Sequence, residues 1–137
     1  MLKDNSLNVC CVSETWLKKN DKAILAEIHD FGFDIISQPR KGRGGGVAVI
    51  FDPNILKPIK NNTRKYSSFE VLESIIKTNN CLIRLCVVYR TTQAKTNYEN
   101  TKLLKFFDDF DSYLETLVIK SGMPIICGDF NIIKQNI

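Results

Sequence analysis

The sequence predicts a mixed α/β layered fold. Short runs rich in β-branched residues and cysteine, such as "LNVCCVS" at 7–13 and "VAVIF" at 47–51, read as buried strands. Two other segments carry helical periodicity instead. Some of the strands adjoin as a hairpin while others are separated by a helix, so antiparallel pairings and crossovers occur in the same chain. With 137 residues, 44% hydrophobic and 25% charged, the length and balance are those of one globular domain with a core. No repeat, low-complexity tract or internal boundary interrupts it.

The elements follow in order. Leu7–Ser13 is a strand that ends on an acid, Glu14. Asn20-Asp21 caps a helix through Asp30, with a partial apolar stripe of Ala23, Ile24, Leu25, Ala26 and Ile28, and Gly32 stops it. Phe33–Ser37 is a second strand, followed by the basic, glycine-rich "PRKGRGGG". Val47–Phe51 is a third, closed by the turn residues Asp52-Pro53-Asn54. The polar, basic segment 57–68, "KPIKNNTRKYSS", reads as a surface loop. Phe69–Ile76 and Cys81–Tyr89 then form a hairpin around "KTNN", the second strand apolar at alternate positions from 81 to 89. From Asn97 to Ile119 the spacing of Leu103, Phe106, Phe107, Phe110, Leu114 and Leu117 predicts the clearest helix. Gly122 ends that helix, and Pro124 opens a last strand, "PIICGD".

Composition excludes several functions. Nineteen Lys and Arg against fifteen Asp and Glu give a net charge of +4, a mild bias toward polyanionic partners that also serves plain solubility. The five cysteines, Cys10, Cys11, Cys81, Cys86 and Cys127, lie in apolar or strand-like runs and read as small core residues. No C-x-x-C spacing occurs and His29 is the one histidine, which argues against zinc. His29 itself reads as a surface or helix-packing residue. Unpaired thiols point to an intracellular compartment, nuclear or cytoplasmic. "MLKDNSLNV" lacks the apolar core of a signal peptide, and no apolar run is long enough to span a membrane. The sequon Asn61-Asn62-Thr63 is then a chance match.

Four polar residues share a position. Glu14, Tyr89, Asp129 and Asn131 each lie at or just past the end of an apolar strand, so neighbouring strands would bring them to one rim. Carboxylate and amide oxygens are hard ligands suited to Mg²⁺ or Mn²⁺. Beside such an ion a phosphate becomes electrophilic, and a nearby carboxylate can activate water. Each residue also has a plainer reading: Asp129-x-Asn131 as a turn, Glu14 as a surface acid, Tyr89 as a packing residue.

In combination they are more specific. "SETWL" (13–17), "RGGGVAVI" (43–50), "FEVLE" (69–73), "VVYR" (87–90) and "GDFN" (128–131) follow in an order and spacing that resembles the endonuclease/exonuclease/phosphatase superfamily. Among its branches the chain is most similar to the apurinic-type endonuclease domain of non-LTR retrotransposons, through "SETWL" followed by "RGGGVAV". The resemblance implies a four-layered α/β/β/α sandwich with two packed mixed sheets. It implies that Glu14 binds a catalytic Mg²⁺, with Mn²⁺ as a substitute. Tyr89 would lie beside the scissile phosphate, Asp129 would orient or deprotonate the attacking water, and Asn131 would hold the phosphate or the developing charge. The implied function is nicking of target DNA to prime reverse transcription, with a reverse transcriptase domain in the same polyprotein.

The glycine cluster at 42 and 44–46 is not a P-loop, because no Lys-Ser/Thr follows and a strand comes next. It reads as a turn entering a closely packed strand. Arg40, Lys41 and Arg43 beside it, and Arg90 after Tyr89, are candidates for contacting a DNA backbone, with a solvated basic loop as the alternative.

The chain departs from the family pattern at both ends. It lacks a first strand–helix unit carrying an Asn, and the Ser-Asp-His segment that supplies a histidine for hydrolysis, so residues 1–137 resemble a partial domain. "YRTT" also replaces the usual Tyr-Arg-Pro-Pro. Loss of that histidine implies a rate lower by on the order of 10²-fold or more, leaving the isolated chain nearly inactive. The competing readings are another branch of the superfamily, a phosphatase or repair nuclease, and a non-catalytic nucleic-acid-binding relic.

Overall fold

The computed structural model describes residues 7–91 and 99–132. In chain order these form β1 (Val9–Ser13), α1 (Lys22–Asp30), β2 (Asp34–Gln38), β3 (Val47–Phe51), β4 (Ile59–Asn61), β5 (Glu70–Lys77), β6 (Leu82–Tyr89), α2 (Glu99–Val118) and β7 (Met123–Asp129). The first three strands make an antiparallel sheet in the order β1-β3-β2, and the other four make a second sheet in the order β4-β5-β6-β7. The second sheet is mixed: β4, β5 and β6 pair antiparallel, while β7 returns through α2 to lie parallel to β6. The first sheet, expected to be mixed, is antiparallel throughout.

Period-two alternation divides the side chains between two cores. Val47, Val49 and Phe51 of the first sheet face Leu72, Leu85, Val87 and Tyr89 of the second, and Cys11 and Cys127 pack against the same cluster. Each fully buried aliphatic side chain here contributes about 2 kcal/mol. On the other face of the second sheet, Val71, Cys86 and Val88 meet Phe106, Tyr113 and Leu117 of α2. Phe69 anchors that layer, its ring 5.7 Å from Phe106 and stacked 4.8 Å from Tyr66. With α1 against β2 and α2 on the far sheet, the layers run helix, sheet, sheet, helix, as the family resemblance implies.

Four details differ from expectation. The segment 57–68 contains the short edge strand β4, because Ile59–Asn61 can pair with Ile75–Glu73 while Lys60 reaches the carbonyl of Ser37 at 3.0 Å. Cys81 is exposed in the hairpin turn rather than in the core. Phe107 is 45% exposed, since it falls off the stripe formed by Phe106, Phe110, Tyr113 and Leu117. Asp21 does occupy the helix N-cap position, but its carboxylate accepts from the Lys18 backbone N–H at 2.7 Å instead of capping the helix. Gly32 stops α1 as expected, donating its N–H to the His29 carbonyl at 2.9 Å.

A buried acid, Glu73, is the largest departure from an apolar sheet. Its carboxylate is fully enclosed and accepts from Arg84, from Asn61 at 2.9 Å and from the Tyr113 hydroxyl at 3.0 Å. Burial opposes its charge, but those donors and the nearby Lys120 prevail and hold the carboxyl below its usual range. Arg84 in turn donates to the carbonyl of Ser121 at 2.9 Å, tying the end of α2 to the sheet.

Candidate active site

The rim is built from the ends of strands that belong to different sheets. Tyr89 closes β6 and is 3% exposed, its ring packed in the core between the sheets. Its hydroxyl donates across the gap to Oε1 of Glu14, the residue just after β1. Burial first, then the hydrogen bond and charge of Glu14, keep the phenol protonated by raising its pKa. Tyr89 is paired in register with Asp129 on the parallel neighbour β7. Register partners on adjacent strands point to the same face, so Asp129 lies beside Tyr89 with its carboxylate exposed.

Asn131 is held by two bonds. Its backbone N–H donates to Oδ1 of Asp129 at 3.1 Å, and its side-chain amide donates to the Arg90 carbonyl. The structure thus brings together all four strand-end residues. The turn reading of Asp129-x-Asn131 is also present in that backbone bond, so the same residues form the turn and line the rim.

Backbone strain collects at the same place. Glu14, Trp16 and Asn131 are the non-glycine residues with positive φ among the described residues, at 51°, 54° and 48°. Each such conformation costs about 1–2 kcal/mol and persists where surrounding contacts enforce it. For Glu14 and Trp16 those contacts come from the glycine-rich turn: Thr15 donates to the Gly46 carbonyl at 3.2 Å and Trp16 to that of Gly45 at 2.9 Å. Gly46 has φ +90°, and a Cβ there would stand 2.6 Å from the Thr15 hydroxyl. The glycines are therefore a close-packed turn, as expected, and "SETWL" and "RGGG" form one structural unit.

The basic candidates divide. Lys41 and Arg43 are exposed. Arg40 is committed to a paired contact with Glu70, at 3.1 and 3.0 Å, and also reaches the Thr91 hydroxyl. Its guanidinium lies 5.8 Å from the centre of the Tyr89 ring. Arg90 requires correction as a surface DNA contact: it is 2% exposed, donates to the Asn131 carbonyl at 2.9 Å and lies over the Phe106 ring. It braces the turn that carries Asn131. Glu70, inside "FEVLE", had no assigned role in the sequence; a carboxylate thirty residues from its arginine partner leaves no local spacing signal.

The donor set fits a hard divalent ion. Among the described residues no group of three or more His, Cys, Asp or Glu converges on one point. Mg²⁺, however, is commonly held by one or two carboxylates with water and phosphate completing its shell. Glu14 offers an exposed carboxylate whose recorded bond engages a single oxygen.

The sequence model of the endonuclease/exonuclease/phosphatase family matches residues 1–136. The chain belongs to this family. Its members are hydrolases acting on phosphodiester bonds, and they generally use divalent metal ions. No curated protein sequence matches the chain. Solved structures of the family share its fold. An AP endonuclease from Archaeoglobus fulgidus superposes with a TM-score of 0.70 at 22% identity, over 96% of this chain and 49% of that one. The 3′ phosphatase NExo from Neisseria, bound to product DNA hairpin, gives 0.66 at 17% identity, over 96% and 50%. TDP2 from D. rerio, complexed with single strand DNA product, gives 0.66 at 11%, over 97% and 51%. The chain spans about half the length of these structures. No helix among the described residues is long and apolar enough to cross a membrane.

Proposed function

We propose that this chain carries part of the active site of a divalent-metal-dependent DNA endonuclease of the retrotransposon type, with Mg²⁺ as its ion. The observation that carries the reading is the Tyr89–Glu14 hydrogen bond, with Asp129 in register beside Tyr89. One strained acid, one phenol and one exposed acid from distant parts of the sequence share a rim, an arrangement that packing alone does not require. The retrotransposon branch is favoured by "SETWL" and "RGGG", whose backbones bond directly to each other. DNA as substrate is favoured by the NExo and TDP2 structures, which hold DNA products.

Each residue then has a part. Glu14 holds the ion, which neutralises phosphate charge when bound. Tyr89 fixes the orientation of Glu14 through its hydroxyl. Asp129 takes the proton of the attacking water as its oxygen bonds to phosphorus, the bond from phosphorus to the departing sugar oxygen breaks, and that oxygen takes up a proton from solvent water. Asn131, fixed by Asp129 and Arg90, presents its amide to the phosphate. Held on rigid strand ends, these groups keep their mutual positions. The rest of the domain, including the histidine of a Ser-Asp-His segment, would complete the set, and a reverse transcriptase domain would use the nick.

The test is conversion of supercoiled plasmid to open circles by the purified chain with Mg²⁺. Slow nicking that stops with EDTA and in Asp129→Ala supports the reading. Equal nicking by Asp129→Ala, or nicking that persists in EDTA, overturns it for this chain.

A further inference from the structure

Beside the rim, two basins of about 420 and 430 Å³ adjoin and share Tyr66, Phe69 and Glu70 in their walls. Lys41, Arg64 and Lys65 line the first. Arg40, Lys102 and Lys105 line the second, which also reaches Arg90 and Thr91 just past Tyr89. Glu70 is the carboxylate on the walls of either basin among the described residues, and Arg40 already pairs with it. Lys105 is shared with Asp109 at 3.2 Å on an exposed helix face, a contact of little energetic weight. Basic side chains therefore outnumber carboxylates on the walls of both basins, although the whole chain carries only +4.

Aromatic rings lie where the basins meet. Tyr66 stacks on Phe69 with centroids 4.8 Å apart, and the Arg64 guanidinium lies 5.8 Å from the Tyr66 ring centre. That contact holds a cation on the groove wall by its attraction to the ring face. The segment 62–69 leads directly into Glu70, whose register partner is Tyr89, so the groove is continuous with the rim.

We infer that this groove is a track for a DNA strand extending away from the scissile position, with Arg64 and Lys65 as phosphate contacts. A row of cations beside the partly exposed Tyr66 ring, running out of a phosphodiesterase rim, matches the physics of strand binding better than that of an acidic protein surface. The inference rests on the proposed function for the identity of the rim, but its test does not require turnover. The substrate it specifies is a polynucleotide several nucleotides long, not a mononucleotide or a small phosphate ester.

The experiment measures binding of fluorescein-labelled 20-nucleotide and 4-nucleotide single-stranded DNA by anisotropy, in EDTA, across a salt series. Arg64→Glu/Lys65→Glu and the milder Arg64→Gln/Lys65→Gln are compared with the parent and with Lys22→Glu, an exposed residue of α1 outside the groove, each checked for folding by circular dichroism. The 20-mer should bind at least 10-fold tighter than the 4-mer. The double variants should lose about 10-fold for the 20-mer and flatten the slope of log affinity against log salt by about 1.4, the value for two single-strand phosphate contacts. Lys22→Glu, on α1, should bind as the parent does, and because binding is read in EDTA without turnover, failure of the track and failure of the nicking reading are distinguished. Unchanged affinity and slope in both double variants would overturn the inference. So would equally effective displacement of the 20-mer by poly-L-glutamate of matched charge, which would mark the groove as a general acidic-partner site.

Discussion

Gly128 lies against Val88 so closely that no side chain fits between β6 and β7: a Cβ at 128 would stand 1.8 Å from the Val88 carbonyl oxygen. The two residues are register partners, one position before Tyr89 and Asp129. Gly128→Ala must therefore push the strands apart next to the rim. The expected cost is about 3 kcal/mol or more, measured by urea denaturation. A loss below about 1 kcal/mol would show that the strands do not approach as described.

Tyr89→Phe keeps the buried ring and removes the bond to Glu14. Stability should change little, while Mn²⁺ affinity followed by electron paramagnetic resonance should fall about 10-fold, the usual effect of losing a group that orients a metal ligand. Unchanged Mn²⁺ affinity would show that Glu14 needs no such orientation.

Glu73 and Arg84 form an enclosed ion pair, with side chains 0% and 8% exposed. Glu73→Gln or Arg84→Met strands a buried partner and should each cost about 3–5 kcal/mol in chemical denaturation. The double variant should cost clearly less than the sum. Additive losses would mean the two side chains act independently.

Acid should destabilise the chain through the same residue. The folded state holds the Glu73 carboxyl below its ordinary value of 4.5, so the unfolded chain binds the proton more readily. This contribution is complete above pH 4.5 and is lost as pH falls from there through the depressed folded value. Asp109 adds in the same direction, lowered chiefly by the Ser68 hydroxyl. Thermal melts from pH 6 downward should show falling stability below about 4.5, with a shallower decline in Glu73→Gln. Identical pH profiles would contradict the assignment.

Much of the fold was legible in the sequence because the strands and α2 repeat apolar residues at clear periods. Val47–Phe51 and the Tyr89 end of the hairpin fall where the pattern places them. The strand-end rule also picked out Glu14, Tyr89, Asp129 and Asn131, because a polar residue after an apolar run is a local signal. What escaped was non-local. Nothing near Glu73 announces that Arg84, Asn61 and Tyr113 will close around it, and alternation alone would put an acid there toward water. The edge strand β4 is only three residues long and polar in context, too short for its period to show. Arg90 looked like a surface cation beside Tyr89, yet adjacent strand residues point to opposite faces, and its face is covered by Phe106.

The parallel placement of β7 beside β6 also sets an order of assembly. Tyr89 and Asp129 lie about forty residues apart in sequence, with all of α2 between them. The β5–β6 hairpin closes a short turn and can form within microseconds, whereas the Tyr89–Asp129 pairing must wait for a long loop to close against its chain entropy. The residues proposed for chemistry are thus among the last to meet. A chain emerging from the ribosome would expose an unpaired β6 edge until α2 and β7 arrive, and during that interval it would be most open to mispairing with a neighbour.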